Sequence, residues 1–149
     1  MGSHGPRRMA REAALQVLFA ADLSGVEIDV DAVRAAFENV SAEFQLPKRA
    51  RERALALCLG VVHHRKDIDL AIARASEHWK IERLAAVERN VLRVAAFELL
   101  FEPKTPAEVV IDEAVEVARR YASEKSPAFV NGVLDVVARN ARADRAGDE

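Results

Sequence analysis

Cysteine is almost missing from this sequence. Cys58 stands alone in 149 residues, so no internal disulfide can form and the fold must be held by packing. It lies in the apolar run LALCLGVV and reads as a small buried hydrophobe, with a reducing compartment, the cytoplasm, as the expected home. Aromatic residues make up only 5% of the chain, which leaves a core of Leu, Val, Ile and Ala and favours packed helices over a sheet sandwich. Six glycines and five prolines are too few for a low-complexity or linker-rich chain. No apolar run approaches the roughly 20 residues needed to cross a bilayer, and the N-terminus lacks a hydrophobic secretory segment, so no membrane association is expected. A large excess of charge is missing as well. Lys and Arg number 22 against 24 Asp and Glu, for a net charge of −2, which argues against a protein that coats nucleic acid indiscriminately.

Catalytic patterns are equally scarce. There is no glycine-rich phosphate loop, no Glu-x-x-His pair and no nucleophile beside a candidate base, so no catalytic residue, cofactor or enzymatic activity is expected. His63, His64, Asp67 and Asp69 form the one tempting metal cluster, with His63 and Asp67 at i, i+4 spacing. Adjacent histidines face different ways, however, and the group reads as a solvated helix end with no metal.

What the chain has instead is one amphipathic helix after another. Half of its residues are hydrophobic, they recur at helical spacing, and no stretch alternates strictly enough for a strand, so the class is all-α with about seven helices. A first helix is expected over Arg7–Leu23, stopping at Ser24-Gly25, and a second over Asp29–Phe44. Pro47 opens a third that runs to His64, followed by a shorter one through Ile68, Ile72 and Ala75. Leu84–Glu102 is apolar around most of its circumference and should be the central helix. Glu98 shares a face there with Val87, Val91 and Val94, so its carboxylate is expected to cap a neighbouring helix or pair with an arginine.

Thr105-Pro106-Ala107-Glu108 has the form of a capping box, opening a helix that ends near Ala122. Ser126-Pro127 repeats the N-cap and proline before a last helix with Val130, Val133, Leu134 and Val137 on one face. That helix passes through Asn131-Gly132. Because glycine costs a helix interior about 1 kcal/mol relative to alanine, Gly132, and likewise Gly60, is expected to admit a closely approaching helix. The domain is expected to span residues 7–141, with residues 1–6 a tag or disordered leader and 142–149 a flexible tail.

Positive charge is concentrated at Arg7, Arg8 and Arg11, and again at Lys48, Arg49, Arg51 and Arg53. Cations at a helix N-terminus oppose the helix dipole at a cost of a few tenths of a kcal/mol, which raises the question of what anion they meet. On the first helix Arg8, Arg11, Leu15 and Phe19 fall on one side, with Gln16 beside them. Cations with an exposed ring suit single-stranded RNA, the guanidinium groups taking phosphates and the ring a base. The other reading puts Leu15 and Phe19 in the core and leaves the arginines solvated. The residues alone support both.

Three segments, VERNVLRVAAFELLF at Val87–Phe101, PAEVVIDEAVEVARRY at Pro106–Tyr121 and AFVNGVLD at Ala128–Asp135, together resemble the NusB family of bacterial transcription antitermination factors. The similarity extends to the arginine-rich start of the first helix. The resemblance implies an all-α domain of two packed bundles that binds boxA RNA of ribosomal-RNA leaders with the ribosomal protein NusE, in the elongating RNA polymerase complex. It implies an RNA surface of Arg7, Arg8, Arg11, Gln16, Phe19, Tyr121, Lys125 and Phe129, and a protein-partner surface of Glu88, Arg89 and Arg93 projecting from the central helix. On that basis neutralising Arg8 and Arg11 should weaken RNA binding and leave stability equal or slightly raised, unless hidden ion pairs tie them to acidic helices. The same fold resembles the N-terminal domain of ribosomal-RNA cytosine methyltransferases, but on length no cofactor-binding α/β domain is expected with it. A helical DNA-binding regulator is a further alternative, disfavoured by the apolar last helix. A monomer and a homodimer both remain open.

Overall fold

The computed structural model describes residues 5–22, 28–77 and 80–147. Its elements are α1 (Pro6–Ala21), α2 (Val30–Phe44), α3 (Lys48–His63), α4 (Arg65–Ser76), a 3₁₀ turn at Ile81–Arg83, α5 (Ala86–Phe101), α6 (Ala107–Tyr121) and α7 (Ser126–Gly147), with no strand among the described residues. Pro6 occupies the first turn of α1, where its missing N–H leaves no bond unmade. Ala10, Ala13 and Ala14 are buried on that helix, and their small side chains let α2 and α3 lie close. Asp29 caps α2 by accepting the Asp31 N–H at 3.3 Å, and α2 ends at Gln45 in the left-handed region. The expected end of the first helix at Leu23 and the Ser24-Gly25 stop lie outside the described residues.

The seven helices among the described residues form two groups, α1 to α3 and α4 to α7, and α5 joins them by packing against α1, α3, α4, α6 and α7. Every residue from Arg89 to Leu99 is buried, which accounts for a sequence that is apolar around most of its circumference.

Local details differ from expectation in three places. Pro106 adopts φ −57°, ψ 138°, an extended conformation, so α6 begins at Ala107 with no side-chain cap, while the Thr105 N–H is taken by the Glu102 carbonyl at 3.2 Å. Ser126 is already inside α7, and its hydroxyl donates to Glu88 instead of capping the helix. Gly132 faces open space, whereas a Cβ at Gly60 would fall within the contact distance of the Phe97 ring, so only Gly60 serves close approach. In addition, α7 continues past residue 141 to Gly147, and Arg145 donates to the Leu99 carbonyl at 3.4 Å.

Candidate nucleic-acid and partner interface

The first turns of α1 meet acid on two sides. Arg8 Nε donates to Glu113 Oε1 of α6 at 3.0 Å, and its Nη2 meets the other oxygen of the same carboxylate. One turn on, Arg11 makes a two-point contact with Glu98 of α5, Nε to Oε2 at 2.9 Å and Nη2 to Oε1 at 2.8 Å, and its Nη1 lies 3.5 Å from Glu113. Arg53 of α3 approaches from the far side, bonding Glu102 through both terminal nitrogens and reaching Glu98 Oε1 at 3.5 Å. Two helices, α1 and α3, are thus tied to α5 and α6 by a chain of guanidinium and carboxylate groups. Hydrogen bonding to Glu113 raises the pKa of Arg8 despite the opposing effect of burial, and Glu102 does the same for Arg53, so both stay charged. Glu98, only 1% exposed, pairs with arginines, as its apolar neighbours demanded.

This geometry divides the residues expected at an RNA surface. Arg7 is exposed and makes no ion pair among the described residues, and Arg8 is half-buried. Arg11 is buried, which corrects its expected place on an open stripe: the carboxylates of Glu98 and Glu113 claim its donors. Leu15 belongs to the core, while Phe19 is 46% exposed and Gln16 half-buried. Helix α6 brings Tyr121 next to α1, where its O–H donates to Glu12 Oε2 at 2.9 Å and Arg120 reaches the same oxygen at 3.1 Å. Burial, then the bond to Glu12, raises the Tyr121 pKa. Lys125 is exposed in the turn before α7, and Phe129 is half-buried against the core.

The partner surface is corrected more sharply. Glu88 is half-buried and holds Ser126, but Arg89 and Arg93 do not project outward. Arg93 is 0% exposed, with Nε and Nη2 each 2.9 Å from a different oxygen of Asp69 on α4. Arg89 Nε donates to Asp22 at 2.7 Å and its Nη1 to the Leu84 carbonyl at 2.7 Å, and Asn90 donates to Asp22 at 2.8 Å. The cause is that α5 has no solvated side at this level and finds acids on the end of α1 and on α4. Burial alone would raise the Asp22 carboxyl, but the hydrogen bonds from Arg89 and Asn90 and the charges of Arg89 and Arg93 outweigh it and hold its pKa below the ordinary value. Asp22 was missed in the sequence, and Asp69, expected on a solvated helix end, is instead buried against Arg93. The signal was available in Arg89, Asn90 and Arg93 lying within a helix apolar around most of its circumference, where buried polar groups oblige buried partners.

No group of His, Cys, Asp and Glu among the described residues is arranged to hold a metal ion. Cys58 lies buried with Sγ 3.8 Å from the Ala14 carbonyl, and desolvation pushes its thiol up to about 12. No described helix is long and apolar enough to cross a membrane.

The model of the NusB family matches residues 8–139. Among curated proteins, the chain is 45% identical over 132 residues to the transcription antitermination protein NusB of Desulfotalea psychrophila, covering 88% of this chain and 94% of that one. It is also 45% identical over 146 residues to that of Sorangium cellulosum, covering 95% and 98%. Among solved structures, T. maritima NusB superposes with a TM-score of 0.79 at 41% identity, covering 91% of this chain and 92% of that one. A chain in a crystal structure of the antitermination factors NusB and NusE in complex with dsRNA superposes with a TM-score of 0.79 at 34% identity, covering 91% and 97%.

Proposed function

We propose how this chain works from the premise that it belongs to the NusB family, whose model spans most of its length. It is a non-enzymatic RNA-binding factor of transcription antitermination, and its partners are RNA and NusE. The observation that carries the reading is the likeness over nine-tenths of the chain to a protein solved with both NusE and RNA. Its RNA is boxA of ribosomal-RNA leaders, and the assembly enters the elongating RNA polymerase complex in the cytoplasm.

The side chains support a division of labour. Arg7, Arg8, Gln16 and Lys125 supply charge and hydrogen bonds to RNA at the surface, and Phe19, Tyr121 and Phe129 offer rings to unpaired bases. Arg11 contributes indirectly by clamping the start of α1 to α5 and α6. Glu88 meets NusE, with Arg89 and Arg93 fixing α5 beneath it. A homodimer is the competing use of the partner surface.

The test is fluorescence anisotropy with labelled boxA and scrambled RNA, with and without NusE. Preference for boxA that sharpens on adding NusE is expected, whereas equal binding of both RNAs in the presence of NusE refutes the boxA assignment. Light scattering with and without NusE separates the homodimer from the heterodimer.

A further inference from the structure

Beside the Arg11–Glu98–Arg53 chain lies an open groove of about 650 Å³, bounded by the first turns of α1 and α3 and by the α5–α6 connection. It is lined by five cations, Arg7, Arg11, Arg49, Arg53 and Lys104, against two carboxylates, Glu98 and Glu102. Both carboxylates are already bonded to Arg11 and Arg53. The other three cations, Arg7, Arg49 and Lys104, are exposed and make no ion pair among the described residues. A protein of net charge −2 therefore gathers unneutralised positive charge around one concavity. The first turns of α1 and α3 contain no acidic residue to offset it, and neither helix has a side-chain cap.

An aromatic ring completes the set. Phe101 lines the same groove at 38% exposure, and it is backed by the stacked ring of His64 with centroids 3.9 Å apart. Cations around an exposed, supported ring are what a single-stranded nucleic acid uses, phosphates going to the cations and a base to the ring. An acidic peptide would draw on the charges but has no use for the ring.

We propose that this groove is a second RNA contact, taking a single-stranded segment distinct from the one held at Phe19, Tyr121, Lys125 and Phe129. Phosphates sit on Arg7, Arg49 and Lys104, a base stacks on Phe101, and Arg7 stands between the two contacts. The proposal rests on the reading of the chain as an RNA-binding protein.

The experiment uses the full chain with NusE, a labelled boxA RNA extended by single-stranded flanks on both sides, and the double variant Arg49→Gln/Lys104→Gln. Each lost phosphate contact removes about 0.7 from the slope of log affinity against log salt for a single strand, so a flattening of roughly 1 to 1.5 is expected, with the melting point unchanged. Phe101→Leu should weaken binding and leave the slope as it was. If wild type binds and the double variant keeps its full slope, the groove is no RNA contact and the proposed function stands. If wild type fails to bind any RNA with NusE present, the proposed function falls and takes the groove with it. Pyrophosphate and a poly-glutamate peptide serve as competing probes. Binding of either that the double variant abolishes, with the RNA slope unaltered, assigns the groove to a small anion or an acidic protein and overturns the proposal.

Discussion

Replacing Arg11 by glutamine takes a cation away from the positive end of α1, which considered alone should stabilise the helix by a few tenths of a kcal/mol. The structure reverses the sign. Glu98 is 1% exposed in the native fold, and without Arg11 it keeps only the 3.5 Å contact to Arg53. Removing one member of a buried ion pair costs about 3 to 5 kcal/mol because the other charge is stranded, and the Arg53 contact offsets part of that, leaving a loss of about 2 to 4 kcal/mol. For a chain of this size that is a fall of roughly 5 to 15 °C in melting temperature. Thermal and urea unfolding followed by far-UV circular dichroism reads it directly. The double variant Arg11→Met/Glu98→Leu removes both charges and should melt closer to wild type than either single change. If Arg11→Gln melts with wild type while its RNA salt slope falls, Arg11 is a phosphate contact and the clamp is refuted.

Four further outcomes are expected. Gly132→Ala should raise stability by about 0.5 to 1 kcal/mol, since its Cβ meets nothing, while Gly60→Ala should lose stability against the Phe97 ring; equal effects in thermal melts would contradict the packing. Phe19→Ala should cost about 1 to 3 kcal/mol of RNA affinity at an unchanged melting point, and Phe129→Ala, half-buried, should lose both affinity and stability; a Phe19 variant that only melts lower places the ring in the core. Because the Asp22 carboxyl is held below its ordinary value of 3.8, its contribution to stability is complete above that pH and disappears as pH falls through the lowered folded value. Asp22→Asn should therefore be less stable than wild type at neutral pH and converge with it in acid, and a gap that persists at the lowest pH excludes the assignment. Cys58, its thiol pushed up to about 12, should resist a thiol reagent at pH 8 in the native protein and react fully in urea, and fast native labelling would mean that the α1–α3 contact opens.

The helix order was legible because its signals are local. Apolar spacing marks each element, and Pro6, Pro47 and Pro103 fall at the ends where the ring is tolerated. The capping of α6 was misread because Thr-Pro-Ala-Glu fits a capping box in sequence, and only the extended backbone at Pro106 shows that the helix starts one residue later. Gly132 and Gly60 were indistinguishable for a similar reason: which glycine faces a neighbour depends on the rotation of a helix about its axis. Arg89 and Arg93 were expected outside because the family resemblance implied a partner surface there, yet the acids that draw them inward, Asp22 and Asp69, lie 67 and 24 residues away along the chain. Phe19 was not decided by the residues, because a ring on the edge of a helix's apolar face fits core and surface alike, and the resemblance alone pointed to Lys125; the structure leaves both exposed. Arg11 was not legible as buried, since Glu98 is 87 residues distant.

Central helix α5 presents mostly Val, Leu and Ala to its neighbours, and such a surface is nearly featureless: turned by one residue, about 100°, it would still bury aliphatic carbon. Its buried charges are not so tolerant. Arg89 and Arg93 must meet Asp22 and Asp69 near one end, and Glu98 must meet Arg11 and Arg53 near the other, with an unpaired charge the penalty for any slippage. The two ionic sets therefore index the helix like a pair of locating pins, fixing both its rotation and its position along its axis. One residue inserted between Asn90 and Glu98 would throw the pins out of phase. The same insertion within 103–105, beyond both, would leave them aligned.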